Sequence, residues 1–243
     1  RRCLYVGDIG DNRSQRAQIM LLRLEEPDAP GAGQVEQRHA QRLVLRYPDG
    51  PRDAESLAVD PRTGDLLVVT KLRDRPVSEV FRLAAAAWDD PEQRHLTAVA
   101  EITWPGEGLA TQATAATITP DGERLFVQTY SQALWVELRR DNGQITGLGA
   151  QLPAPHWGLG QCEAAAIAPD GGSLWFTCEG QPAPLAATDC LNQAAVADAP
   201  ERVEPEGCGG CQQSADLSLW CLFLLALRWR DEPKRVQESR SPS

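Results

Sequence analysis

Apolar and polar positions alternate along this chain in short runs, and three pairs of runs are copies of one pattern. Residues 55 to 71 read ESLAVDPRTGDLLVVTK, residues 114 to 130 read TAATITPDGERLFVQTY, and residues 163 to 179 read EAAAIAPDGGSLWFTCE. Each copy predicts a β-hairpin: two alternating apolar runs flank a turn in which proline fixes φ and glycine supplies a positive φ. A leucine follows each proline by five positions, at Leu66, Leu125 and Leu174, and this constancy sets the register. Between the hairpins lie further strand-like runs at Ile19 to Leu24, Gln41 to Tyr47, Glu79 to Leu83, Leu96 to Trp104 and Leu134 to Leu138.

Hairpins repeating at intervals of roughly fifty residues, with more strands between them, are the signature of an all-β fold, a β-propeller of four-stranded blades. The spacing gives a half blade at residues 1 to 48, full blades at 53 to 104 and 112 to 152, and a further blade from 161 to 198. Leu4 to Asp8 matches the second strand of the repeat with no first strand before it, so a six-bladed ring, truncated at its N-terminus, is expected. The propeller is thus assigned to 1–198, and 199–243 to a linker with a short hydrophobic C-terminal tail.

Charge narrows the partners. The net charge of −10 over 243 residues, without a basic stripe, argues against nucleic acid. A small molecule or an extracellular protein ligand fits better. Seven cysteines are spread unevenly. Cys162 and Cys178 fall at the open ends of the third hairpin's strands, where they form either a disulfide, implying an oxidising compartment, or two buried thiols. Cys208-Gly-Gly-Cys211 is a lone CxxC with no second ligand pair, which disfavours zinc.

The hairpin register also brings polar residues together. The start of a hairpin's first strand lies beside the end of its second, so Glu55 is expected near Thr70 and Lys71, Thr114 near Thr129 and Tyr130, and Glu163 near Cys178 and Glu179. Asp8 takes the Thr70 position, with Asp11 and Asn12 just beyond. One rim of the channel then carries Asp8, Asp11, Glu55, Lys71, Tyr130, Glu163 and Glu179. As ligand-binding candidates we take Asp8, Asp11, Asn12, Glu55 and Tyr130.

As metal ligands we take Asp8, Asp11, Glu55, Glu163 and Glu179, an all-oxygen set suited to Ca²⁺. Lys71, Glu163 and Glu179 are the candidates for catalysis. Each acid taken singly reads equally as a strand-end residue bonded to loop N–H groups. No HExxH, GxSxG or Walker pattern occurs. Of the histidines His39, His95 and His156, only His156 could overhang the rim; the alternative is a solvated loop residue.

Gly7-Asp8-Ile-Gly-Asp11-Asn12 with Arg13 and Arg16, Tyr47 to Pro51 with Asp53-Ala54-Glu55, Thr119 to Gly122, and Gly160-Gln161-Cys162-Glu163 form a set. This set resembles a group of bacterial secreted propellers, and the resemblance covers residues 4 to about 181. More distantly it is similar to six-bladed TolB-like, SMP-30-like and phytase-like propellers. In the last two, a divalent ion sits at acidic channel residues, and phosphate esters or lactones are hydrolysed. The tail, with Gly207 to Cys211, a leucine-rich run at 217 to 227 and Arg228 and Arg230, resembles MYXO-CTERM sorting tails, the alternative being a frayed amphipathic helix. Eleven residues are too few for an ordinary membrane span. The resemblance implies a secreted, periplasmic or cell-surface protein that meets a membrane only through that tail. Three functions remain open: a binding module with a calcium-compatible acidic rim, a metal-dependent phosphoester or lactone hydrolase, and a protein-interaction scaffold that would present Trp104, Trp135, Trp157 or Trp175 on an exposed face.

Overall fold

The computed structural model describes residues 3–26, 39–90, 95–156 and 161–188. One of the four tryptophans of the scaffold reading, Trp157, the CxxC and the C-terminal tail lie outside these residues. The described chain forms fourteen strands in four antiparallel sheets, each running up and down in chain order. The first sheet holds β1 (Cys3–Asp8), β2 (Ile19–Glu25) and β3 (Gln41–Leu45). The second holds β4 (Ala54–Val59), β5 (Leu66–Thr70), β6 (Val77–Leu83) and β7 (Thr97–Thr103). The third holds β8 (Ala113–Ile118), β9 (Arg124–Thr129), β10 (Ala133–Asp141) and β11 (Gln144–Pro153). The last holds β12 (Cys162–Ile167), β13 (Leu174–Cys178) and β14 (Leu185–Thr188). Strands β4, β8 and β12, the first of each repeat hairpin, lie side by side. This is the blade arrangement of a β-propeller.

The packing follows from strand periodicity. Successive side chains point to opposite faces, and an inner blade has a neighbour on each face, so its second strand carries consecutive apolar residues, Leu66 to Val69 in β5 and Leu125 to Val127 in β9. In β5, Leu66 and Val68 enter the core shared with the first sheet, and Leu67 and Val69 enter the core shared with the third. In β9, Leu125 and Val127 face back toward the second sheet while Phe126 faces forward, packing edge-on against Trp135 and Phe176. Leu66, Leu125 and Leu174 are all fully buried. They pair with Val59, Ile118 and Ile167 in the same register in each hairpin.

The three hairpin turns close as the sequence implies. Gly64, Gly122 and Gly171 have φ of 75°, 71° and 72°, a region an L side chain rarely adopts. At this face Asp60, wholly buried, receives a bidentate guanidinium from Arg140 of the next blade at 2.8 Å to each oxygen. Two strands escape the sequence reading: β11, glycine-interrupted and half exposed, and the four-residue β14. Neither has the apolar alternation that marks the others.

Candidate functional site

At the opposite face, the open ends of the hairpins, one backbone irregularity recurs in three blades. Ala54 pairs with Thr70 but Ser56 pairs with Val69, leaving Glu55 as the extra residue of a bulge. Ala113–Thr129 followed by Ala115–Gln128 leaves Thr114. Cys162–Cys178 followed by Ala164–Thr177 leaves Glu163. A bulge bends its strand and re-aims the unpaired side chain, so Glu55, Thr114 and Glu163 share one construction. The residue after each second strand completes the set. The amide of Lys71 donates to Asp53 O at 2.8 Å, and the amide of Glu179 donates to Gln161 O at 2.8 Å. Lys71 and Glu179 are therefore equivalent in backbone placement, and Tyr130 follows β9 in the same way.

These positions join into a chain of hydrogen bonds across three blades. Lys71 Nζ donates to Glu55 Oε2 at 2.7 Å and to the hydroxyl of Tyr130 at 2.8 Å. The Tyr130 hydroxyl donates in turn to Glu163 Oε1 at 3.1 Å. Lys71 is 2% exposed, so its charge is held inside the protein against the Glu55 carboxylate. Glu163 is half-buried. Burial raises its carboxyl above the usual range, the charges of Glu55 and Glu179 raise it further, and the Tyr130 bond and Lys71 oppose this. Burial also raises the Tyr130 phenol, against the Lys71 donor.

Below this chain a shallow depression runs among the innermost strands, lined by Val6, Gly7, Glu55, Leu57, Ala116 and Glu163. Its walls are small and apolar and its mouth is acidic.

The remaining rim candidates form a separate structure. Asp8 binds Arg16 through both oxygens, at 2.7 and 2.9 Å, and the same guanidinium donates to Gly10 O. Asp11, buried, accepts the amide of Arg16 at 2.6 Å, and its own amide donates to Asp53 Oδ1 at 2.7 Å. Asn12 accepts from Arg73, which also reaches Asp53. The glycine-flanked loop is thus closed locally by Arg16 and stitched to the second blade through Asp53 and Arg73. Among the described residues no three acidic, histidine or cysteine side chains converge as a metal cage requires. The predicted rim divides into Glu55, Lys71, Tyr130 and Glu163 with Glu179 close enough to act on it electrostatically, and a loop of Asp8, Asp11 and Asn12 bound to arginines.

His156 departs from the solvated-loop expectation: it is half-buried, its Nε2 lies 3.3 Å from Thr129 O next to Tyr130, and burial lowers its pKa. Cys162 and Cys178 form a disulfide. Trp104 and Trp135 are buried and Trp175 half-buried, so these three offer no aromatic patch. Sequence reasoning placed Thr114 and Thr129 at the rim without a role and missed Gln128. Thr114 Oγ1 and Gln128 Nε2 both donate to the Cys162 carbonyl, at 2.9 and 3.0 Å, anchoring β12 to the third blade. The alignment of Thr114 with Glu55 and Glu163 was the available signal.

No family model and no curated protein matches this sequence. Among solved structures, the chain is similar to hydrazine synthase of Kuenenia stuttgartiensis at 12% identity, TM-score 0.39, covering 76% of this chain and 45% of that one. It is similar to the periplasmic gluconolactonase of Pseudomonas aeruginosa at 17% identity, TM-score 0.40, covering 72% and 47%. A protein from Lactobacillus plantarum gives 12% identity, TM-score 0.39, and 76% and 51% coverage. The chain spans about half the length of these structures.

Proposed function

We propose that this propeller is a binding module whose site is the Glu55–Lys71–Tyr130–Glu163 chain at the mouth of the central depression, taking a small polar ligand there. The observation that carries this is the buried Lys71. Holding an ammonium out of water is costly unless it is paired and hydrogen-bonded, and here its partners are the side chains that define the mouth. The arrangement orients Tyr130 and Glu163 before any ligand arrives, which reduces the ordering cost of binding.

Calcium needs six to eight oxygens. The described acids do not gather in that number, and Glu55 already faces an ammonium. The reading is therefore centred on Lys71, with calcium binding as an outcome its test can return.

A second reading, hydrolysis of a phosphoester or lactone, is favoured by the raised Glu163 carboxyl, since a general base works best when its pKa approaches the working pH. Glu163, not Lys71, would then be the group meeting substrate, because Lys71 is enclosed by Glu55 and Tyr130.

Thermal-shift titration with sugars, organic acids, lactones and Ca²⁺ tests both. A ligand that raises the Tm of wild type and not of Glu163→Gln supports the binding module. Turnover of a lactone or p-nitrophenyl phosphate that Glu163→Gln abolishes supports the hydrolase. Ligands that bind equally well to Glu163→Gln and Tyr130→Phe would place binding elsewhere and overturn the site.

A further inference from the structure

The third repeat differs from the other two at one pair of positions, and the difference falls beside the site. In the second blade the pair closing the hairpin is Ala54 and Thr70, and in the third it is Ala113 and Thr129. Both threonines accept backbone amides from the segment that follows, Thr70 from the next strand and Thr129 from the next loop. Thr70 Oγ1 accepts the amide of Glu79 at 2.8 Å, and Thr129 Oγ1 accepts the amides of Ser131 and Gln132 and lies 3.2 Å from Gln132 O. At the equivalent pair the last blade has Cys162 and Cys178, joined as a disulfide. The backbone bonds Lys71 N to Asp53 O and Glu179 N to Gln161 O mark the second- and last-blade pairs as non-hydrogen-bonded cross-strand pairs. In that setting side chains on opposite strands come closest.

The disulfide thus stands where a threonine hydroxyl clamps the other blades, and each cysteine is followed by an acid, Glu163 or Glu179. The two halves are not held equally. The Cys162 carbonyl is fixed from the neighbouring blade by Thr114 and Gln128. Cys178, by contrast, ends its strand, and this end is held by backbone bonds, from its own amide to Pro184 O at 3.4 Å and from the Glu179 amide to Gln161 O at 2.8 Å, before the chain runs into exposed Gly180.

We propose that the Cys162–Cys178 disulfide is a redox lock on the site, keeping Glu179 near Glu163 when formed and loosening the Glu179 strand end when reduced. The lock regulates the site proposed above and so rests on that reading. In the step, one thiolate of a dithiol attacks Sγ of Cys178, the less buried of the two cysteines, and Cys162 leaves as a thiolate. The second thiol of the reductant displaces Cys178 from the mixed disulfide. The cysteine pair gains two electrons and two protons, and the dithiol becomes a cyclic disulfide. Glu163 stays on its bulge, linked to Tyr130. Of the charged groups facing it, Glu55 and Lys71 are unaffected and only Glu179 moves.

The test is a ¹³C NMR titration of the Glu163 carboxyl in the full chain, before and after complete reduction with dithiothreitol. A second variant, Cys162→Ala with Cys178→Thr, recreates the pair used by the other blades. The wild-type midpoint should fall by a few tenths of a pH unit on reduction, as the Glu179 charge moves away. In the double variant it should ignore dithiothreitol. An unchanged wild-type midpoint would overturn the lock, as would a dithiothreitol response in the double variant, which assigns the effect to other cysteines. Tyr130→Phe tests the underlying site separately: it should raise the midpoint in the oxidised protein, and its failure to do so would remove the site reading while leaving the redox comparison to be judged by itself.

Discussion

The ammonium of Lys71 and the carboxylate of Glu55 meet at 2.7 Å inside the rim, across the closing pair of one hairpin, because Glu55 is the extra residue of a bulge and Lys71 the first residue past the opposing strand. The bulge turns Glu55 toward the channel, and the burial of Lys71 makes the contact a structural charge pair as well as a site element.

Lys71→Met should therefore destabilise the protein by about 3 kcal/mol, the low end for breaking a buried ion pair, since Glu55 keeps some contact with solvent. Pairing it with Glu55→Gln should cost less than the sum of the two single changes, because the double variant leaves no uncompensated charge. Urea unfolding of the four proteins measures this. Strict additivity would mean that the two side chains do not interact.

Glu163 carries a pH signature of opposite sign to an ordinary ion-paired acid. Its folded pKa is raised, so the folded state binds a proton more readily than the unfolded state. Its charged form costs nothing below the unfolded carboxylate range, near about pH 4. The cost then grows as pH rises through the folded value. Glu163→Gln keeps an acceptor for Tyr130 and removes the charge, so its stability relative to wild type should increase across that window and level off above it. Thermal unfolding from acid to neutral pH reads the difference, and a flat one would contradict the assignment.

Asp60 and Arg140 behave in the reverse sense. Burial pushes the Asp60 carboxyl up, but the bonds from Arg140, Thr63 and the Arg62 amide outweigh it and leave the pKa lowered. The stabilisation is present above the unfolded value and lost as pH falls through the folded one. Arg140→Met should cost about 3 kcal/mol at neutral pH and much less in acid, where Asp60 is protonated in both proteins. A penalty independent of pH would show that the arginine acts by packing alone.

The propeller was legible in the sequence because its inner strands are buried on both faces and its turns need proline and glycine at fixed offsets. Leu66, Leu125 and Leu174 fixed the register of all three hairpins before any coordinates. The grouping of Glu55, Lys71, Tyr130 and Glu163 followed from superposing the repeats, since it depends only on which strand ends are adjacent. Asp8, Asp11 and Asn12 share that face by the same superposition but belong to a separate structure, because Arg16 and Arg73 hold their side chains and arginine reach is not visible in spacing. The bulges were also out of view. One unpaired residue leaves the strand pattern intact on either side, and its effect is a change of direction that no alternation rule records.

Tyr47 gives the last test, and it concerns an atom that does no visible work. Its ring packs edge-on against Phe81 in the core between the first two sheets, 4.9 Å between centroids, while its hydroxyl is buried with no hydrogen-bond partner among the described residues. Burial, with the nearby Asp53 charge, pushes the phenol well above its ordinary pKa, so it stays neutral and cannot recover solvation by ionising. A buried unpaired polar group costs about 1 to 3 kcal/mol. Tyr47→Phe keeps the ring contact and removes the penalty, so it should raise stability by about 1 kcal/mol, allowing for the small void it leaves. A clear loss in denaturant unfolding would mean that the hydroxyl has a partner in solution, most simply a bound water.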